Sequence, residues 1–249
     1  PDTTVFAGAN QSISRNLPTF ALLGLKSIRI AQSSGSATLL TNIGIPNDFI
    51  VSSGALVVNS RRVTVAGNLS TQGTGSITMT SATDTLDVNG NATFAGGPVN
   101  MTTGGIYVAG DFSQSGAANS FVPIGSLKVI LDGTGTQNLS FTSATSVFRR
   151  LEPLATTTRN IVLQSNVTVT DSLVMQGGAV GTDLIGAGTS QHLIVQGVVR
   201  LTQGTASPRL APPVLEMGPA VPNIDPIATV GRGLTPDTTV INNGIGTLP

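Results

Sequence analysis

The sequence contains no cysteine and no tryptophan, has a single tyrosine, and has only 10 % charged residues. The lack of cysteine excludes a disulfide framework, thiolate metal sites and thiolate nucleophiles. Twelve Lys and Arg balance twelve Asp and Glu, and no basic run is longer than the pairs Arg61-Arg62 and Arg149-Arg150. Because nucleic-acid binding requires a concentrated positive field, we expect no nucleic-acid partner.

Long hydrophobic runs are also missing. The longest, Phe20 to Leu25, is far shorter than the ~20 residues that a membrane-spanning helix needs, so we expect no transmembrane segment. The chain begins at Pro1 without a methionine or a signal peptide, which predicts a processed form or a fragment whose export signal lies out of view. With 39 % hydrophobic residues and a mean hydropathy of +0.27, the 249 residues should nevertheless fold around a core.

Three segments share one pattern and align without gaps; they begin at Val63, Leu86 and Ile106. Two apolar residues alternate with polar ones, and then come glycine, Asn or Asp, an apolar residue, Ser or Thr and, three residues later, another glycine. A weaker copy begins at Leu193. Alternation predicts a strand with one buried face, and a period of about 20–23 residues is typical of one coil of a parallel β-helix.

Stacked coils would align equivalent residues of the three segments about 4.8 Å apart. The predicted inward columns are Val63, Leu86 and Ile106 in one and Val65, Val88 and Val108 in the other. Glycine after each strand would let the backbone turn at positive φ. The predicted turn glycines are Gly67, Gly90, Gly110, Gly73, Gly96 and Gly116.

Asn68, Asn91 and Asp111 occupy the same position of the three segments. Stacked side-chain amides at a turn can hydrogen-bond from coil to coil, so we predict a structural ladder at this position. The alternative interpretation is a ligand or calcium site.

The predicted fold is therefore all-β, a parallel β-helix or β-solenoid over residues 1–204. An antiparallel β-sandwich is the alternative, although its cores usually contain Trp and Tyr. Residues 205–249 hold eight of the fourteen prolines. Because proline removes amide donors, regular coils should stop near Gly204, and we expect an extended segment docked on the solenoid or on a neighbouring subunit.

Two further repeats suggest copies of a larger unit. The pattern around Phe6, Gly8 and Gln11 returns about 125 residues later around Leu131, and each copy should open a set of coils. The pentapeptide Pro1-Asp-Thr-Thr-Val5 recurs identically as Pro236-Asp-Thr-Thr-Val240. The second match suggests that the C-terminus begins another copy or mimics the N-terminal edge.

Residues for chemistry are sparse, and we predict no catalytic residue, no metal site and no cofactor. Asp84 and Asp87 are the only close acidic pair considered for glycoside cleavage, and turn chemistry explains Asp84. His192 is the sole histidine, so a His-based metal site or triad lacks candidates. The string Asp132-Gly-Thr-Gly-Thr lacks the further acidic ligands of a calcium loop.

The strings Val63-Thr-Val-Ala-Gly-Asn-Leu-Ser70, Asn89-Gly-Asn-Ala-Thr-Phe-Ala-Gly96 and Asp132-Gly-Thr-Gly-Thr-Gln137 resemble the repeats of large bacterial exported cell-surface proteins, adhesin-like or autotransporter-passenger-like. The similarity spans about residues 5–204. It implies export and a scaffold or adhesive role, and it carries no catalytic residues with it.

The expected function is therefore non-enzymatic: an extracellular structural or adhesive protein, a subunit or segment of a surface fibre assembled head-to-tail. Its partners would be further copies of itself and a cell-surface or glycan contact. The alternative is a glycan-binding or glycan-cleaving β-helix in which Asp87 and Asp111 converge in a groove. A viral tail-fibre segment is a third possibility.

Overall fold

The computed structural model of the chain describes residues 2–14, 26–154, 159–176, 182–202, 209–217 and 239–242. The described residues contain 23 β-strands and no helix, and every recorded strand pair is parallel. This confirms the predicted parallel β-solenoid and excludes the antiparallel sandwich. The chain divides into two compact units, Pro1–Leu127 and Lys128–Pro249.

Unit 1 contains two parallel sheets. Sheet A has the order β1-β2-β4-β6-β9-β12, with β7 beside β4 and β10 beside β7, and sheet B has the order β3-β5-β8-β11. The strands are β1 (Thr3–Ile13), β2 (Ser27–Leu39), β3 (Ile43–Ile45), β4 (Phe49–Val57), β5 (Arg62–Val65), β6 (Leu69–Thr71), β7 (Ser76–Met79), β8 (Thr85–Val88), β9 (Ala92–Phe94), β10 (Asn100–Met101), β11 (Gly105–Val108) and β12 (Phe112–Gln114).

The register of sheet B aligns the residues that the repeat places together. Val63 pairs with Leu86, and Leu86 pairs with Ile106, and all three side chains are fully buried. The second predicted column is buried to the same degree and consists of Val65, Val88 and Val108. Alternation therefore directs one face of each strand into the space between the two sheets, where the core of the unit lies.

Unit 2 also contains two parallel sheets. Sheet C has the order β14-β16-β18-β21, and sheet D has the order β13-β15-β17-β19-β22-β23, with β20 beside β17. The strands are β13 (Lys128–Leu131), β14 (Gln137–Phe141), β15 (Phe148–Pro153), β16 (Arg159–Leu163), β17 (Val167–Gln176), β18 (Thr182–Gly186), β19 (His192–Val195), β20 (Val198–Thr202), β21 (Arg209–Ala211), β22 (Val214–Met217) and β23 (Thr239–Asn242).

Parallel pairing continues beyond Gly204, which corrects the boundary predicted there. Strand β21 pairs with β18, β22 pairs with β19, and β23 pairs with β22. Proline did not end the coils because Pro212 and Pro213 lie between β21 and β22, where no ladder amide is required. Most of the remaining proline-rich segment, including Pro236 to Thr238, lies outside the described residues.

Five of the six repeat glycines serve a different purpose from the turn at positive φ that was predicted for them. Of the six, only Gly73 has a positive φ, at 54°. A Cβ added to Gly90 would lie 2.5 Å from the carbonyl oxygen of Gly67 on the preceding coil, and one added to Gly67 would lie 2.7 Å from the Asn47 carbonyl carbon. The same crowding by the preceding coil applies to Gly110, Gly96 and Gly116. Glycine is needed here because the coils approach too closely for a side chain.

A phenylalanine cluster fills the core of unit 1 near β12. Phe94, Phe112 and Phe121 are fully buried, and their ring centroids lie 4.7–5.3 Å apart. The quadrupoles of the rings favour tilted and edge-to-face arrangements at these distances. The cluster supplies the bulk that small and β-branched residues leave unfilled.

Replacing Phe112 with alanine should lower the free energy of unfolding of unit 1 by about 3–5 kcal/mol, because a large cavity opens in a packed core. Ile124 is 59 % exposed, so Ile124→Ala is the matched control and should change stability by no more than about 0.5 kcal/mol. Urea denaturation of both variants measures the difference. Equal effects would contradict the assignment of this core.

Candidate functional site

The corner between sheets B and A carries a line of side-chain oxygens that bind the next coil. Asn68 Oδ1 accepts the backbone N–H of Asn91 at 2.9 Å, and Asn91 Oδ1 accepts that of Asp111 at 2.8 Å. We call this arrangement the corner ladder. The three residues are thus brought to equivalent places on successive coils, but the bonds run from backbone to side chain, whereas amide-to-amide stacking was predicted.

Asp48 is a further member of the corner ladder that the sequence pattern missed. Its Oδ1 accepts the backbone N–H of Asn68 at 2.8 Å and the Asn68 side-chain amide at 3.2 Å. The segment Ile43 to Phe49 follows the repeat except that Asn47 stands where the others have glycine. That substitution conceals the match, although the apolar spacing before and after it would have indicated the position.

The backbone carbonyls of the corner ladder are also occupied. The N–H groups of Phe49, Leu69 and Ala92 donate to the carbonyls of Asn68, Asn91 and Asp111, at 2.8–2.9 Å. Asn68, Asn91 and Asp111 therefore each donate their amide to the preceding coil and accept from the same coil through their carbonyl. The backbone groups of this turn are therefore paired within the protein.

Asp84 is a buried structural carboxylate. Its side chain is 1 % exposed. One oxygen accepts the N–H of Ser60 at 2.5 Å, and the other accepts those of Thr80 and Ser81 at 2.8 and 2.9 Å. A carboxylate held by three backbone amides orders a turn, and its burial keeps both oxygens away from solvent.

Asp87 and Asp111, the pair considered for glycan chemistry, occupy different places in the coil. Asp87 lies on β8, opposite Thr64 and Tyr107, and forms an ion pair with Arg62 of β5. Asp111 lies at the corner between β11 and β12, where its amide joins the corner ladder. The residue of Asp87's own coil that corresponds to Asp111 is Asn91, four positions further along.

The other residues considered for chemistry, His192 and the string that begins at Asp132, also contact neighbouring parts of the fold. His192 begins β19, and its Nδ1 lies 3.8 Å from Glu216 Oε2 of β22. Gln137, next to the Asp132 string, reaches back through Oε1 to the N–H of Gly133 at 3.3 Å. Across the described ranges, no three His, Cys, Asp or Glu side chains group as metal ligands would. In those same ranges no helix has the length and apolarity needed to cross a membrane.

The outer edge of sheet A is formed by β1. Regular pairing with β2 runs from Thr3 to Gly8 and is then interrupted by a bulge. Among the described residues β1 has no second partner strand, and Val5 on it is 52 % exposed. The strand contains no charged residue and no proline, the usual devices that stop an edge from pairing with another chain.

Comparison of the chain with protein families, characterised proteins and solved structures finds no match.

Replacing Asn91 with alanine should lower the free energy of unfolding by about 1 kcal/mol, because the Asp111 amide loses its acceptor. Asn91→Asp keeps an acceptor oxygen, as Asp48 does naturally, and should change stability by less than about 0.5 kcal/mol. Asn89, exposed two residues away with no side-chain hydrogen bond, provides the control variant Asn89→Ala. If Asn89→Ala is as costly as Asn91→Ala in urea denaturation, the corner ladder has no stabilising role.

Proposed function

We propose that the chain is a non-enzymatic extracellular structural or adhesive protein, a segment of a surface fibre in which copies join head-to-tail. The observation that carries this proposal is the open edge of β1. A long edge without charge or proline is a template for a further parallel strand. The resemblance of the glycine-punctuated coils to exported cell-surface repeat proteins supports the extracellular part.

The use of the carboxylates supports a structural role over a catalytic one. Glycoside cleavage requires two carboxyl groups that face one bond. In the described residues most carboxylates already bind a neighbouring coil or turn. Four of them form ion pairs: Asp2 with Lys26, Asp87 with Arg62, Asp171 with Arg150, and Asp183 with Arg209. Two accept backbone amides: Asp48 from Asn68, and Asp84 from Ser60, Thr80 and Ser81. These groups stabilise the stack.

In the proposed contact between copies, which we call the joint, β1 of one copy pairs with strand β21 of the next. Strand β21 is the last strand of sheet C, and among the described residues it pairs only with β18. Leu210 on β21 is fully buried. Phe6 on β1 is half-buried and pairs with the fully buried Ile30, so it lies on the inward face of the sheet. Parallel addition of β1 to β21 of the next copy would place apolar inward residues side by side and extend both columns.

The direction of the β1 polar groups identifies the residue that tests this joint. Ser27 donates to the Asp2 carbonyl at 3.3 Å, and Gln32 Nε2 donates to the Phe6 carbonyl at 3.3 Å. Because successive residues of a strand direct their N–H and C=O to opposite sides, Asp2, Thr4 and Phe6 face β2. The N–H and C=O of Val5 therefore face the open edge.

Val5→Pro should block assembly and leave the fold intact, because it removes an amide that points only toward the open edge. We expect the concentration needed for filaments to rise at least about tenfold, which corresponds to about 1.4 kcal/mol per joint. Analytical ultracentrifugation with electron microscopy measures this. Circular dichroism should remain that of the parent chain.

Val5→Thr is the matched control, since threonine keeps the amide and the preference for strands. It should assemble at concentrations within about threefold of the parent. A parent chain that stays a discrete monomer at high concentration would sink the fibre proposal. Unchanged assembly of Val5→Pro would show that β1 is not the joint.

A further inference from the structure

A cleft of about 390 Å³ lies on the outer face of sheet D, where β15, β17 and β20 run side by side. The inward column of Leu151, Leu173 and Val199 is fully buried, so the residues on either side of it along each strand point outward. Four of the seven lining residues are charged, in a chain with 10 % charged residues. The lining consists of Arg150, Glu152, Asp171, Ser172, Val174, Val198 and Arg200.

The guanidinium of Arg150 is anchored by one nitrogen. Its Nε donates to Asp171 Oδ2 at 2.6 Å. Asp171 belongs to a bulge in β17, because Phe148 pairs with Val169 whereas Arg150 pairs with Ser172. The two terminal nitrogens of Arg150 have no partner among the described residues. They form a fixed, open fork of the kind that binds a carboxylate through two parallel hydrogen bonds.

Two further polar groups and an apolar floor surround this fork. Ser172 lies directly opposite Arg150 on the neighbouring strand, and Glu152 lies two residues along β15. Neither side chain forms a hydrogen bond or ion pair within the described part of the chain. Val174 and Val198 supply the apolar floor. The cleft therefore offers a guanidinium fork that can bind a carboxylate, the Ser172 hydroxyl as a donor and the Glu152 carboxylate as an acceptor, beside a small aliphatic surface.

The equivalent ion pair in unit 1 lacks this arrangement. Arg62 of β5 pairs with Asp87 of β8, but it does so through its terminal nitrogen Nη2. The end of the guanidinium that would receive a ligand carboxylate is therefore already occupied. Arg62 is a natural control for Arg150, because both are arginines of an outward-facing pair that joins neighbouring coils.

We propose that the sheet D cleft binds a sugar that carries a carboxylate. The fork of Arg150 receives the carboxylate, Ser172 and Glu152 hydrogen-bond to the ring hydroxyls, and the two valines contact the C–H face of the ring. Its volume lies within the range usual for small-ligand sites. The inference extends the adhesive part of the proposed function, since it names the class of glycan that the outer face would hold.

The test is an NMR titration of the labelled chain with methyl β-D-glucuronide, at a concentration where sedimentation shows a single species. Methyl β-D-glucoside, which carries a hydroxymethyl group in place of the carboxylate, is the matched ligand, and acetate tests the carboxylate alone. We expect the glucuronide to bind with a Kd on the order of millimolar, as a single small ligand in an open cleft would. The glucoside and acetate should each bind at least about tenfold more weakly.

Arg150→Gln should weaken glucuronide binding at least about tenfold, whereas Arg62→Gln should change it less than about twofold. Glu152→Ala, which leaves the Arg150–Asp171 pair in place, should weaken it about threefold or more through the lost hydroxyl contact. No binding by the parent chain, equal binding of glucoside or acetate, or an equal loss in Arg62→Gln would each overturn the proposal. Filament formation is not required in this experiment, so its failure would leave the fibre proposal standing, and the reverse also holds.

Discussion

Each coil hydrogen-bonds through its backbone to the coil before it, at the spacing of about 4.8 Å that parallel strands require, and the rest of each unit depends on this contact. Buried columns such as Val63, Leu86 and Ile106 exist because the contact repeats in register. It also explains why Gly90 cannot carry a side chain, since its Cβ would collide with the Gly67 carbonyl. Asn91 belongs to the same system, because its side chain completes a bond that the turning backbone leaves open.

The parts that follow from this local repeat were predictable from the sequence. Alternation fixes which residues of β5 and β8 point inward, and the constant spacing to the following Asn fixes the corner. The chemistry of the corner was less accessible, because a column of amides is compatible with both side-chain stacking and side-chain-to-backbone bonds. Asp48 does not match the repeat pattern because Asn47 stands in place of the glycine. Coils continue past Gly204 because Pro212 falls between strands, and its position relative to the strands is not evident from the number of prolines alone.

The features proposed to carry function were not readable from the sequence, since each depends on pairing between distant residues. The open fork of Arg150 exists because a bulge in β17 brings Asp171 to its Nε side, and nothing near Arg150 in the sequence indicates that register. The edge at Val5, which is unpaired among the described residues, likewise depends on the order of the strands in sheet A. A stack that uses its polar side chains internally leaves its outer faces and its edges as the places where other molecules can bind.

Equivalent residues of neighbouring coils are stacked in register. A pair of introduced cysteines tests this stacking directly, because the chain has no cysteine of its own. Ser70 and Thr93 are paired outward-facing positions on β6 and β9, and at about 4.8 Å their Cα atoms suit a disulfide. The double variant Ser70→Cys with Thr93→Cys should oxidise to an intramolecular disulfide in high yield. Ser70→Cys with Ser113→Cys, two coils apart at about 10 Å, should not. A disulfide in the distant pair, or none in the adjacent pair, would contradict the stacked coils.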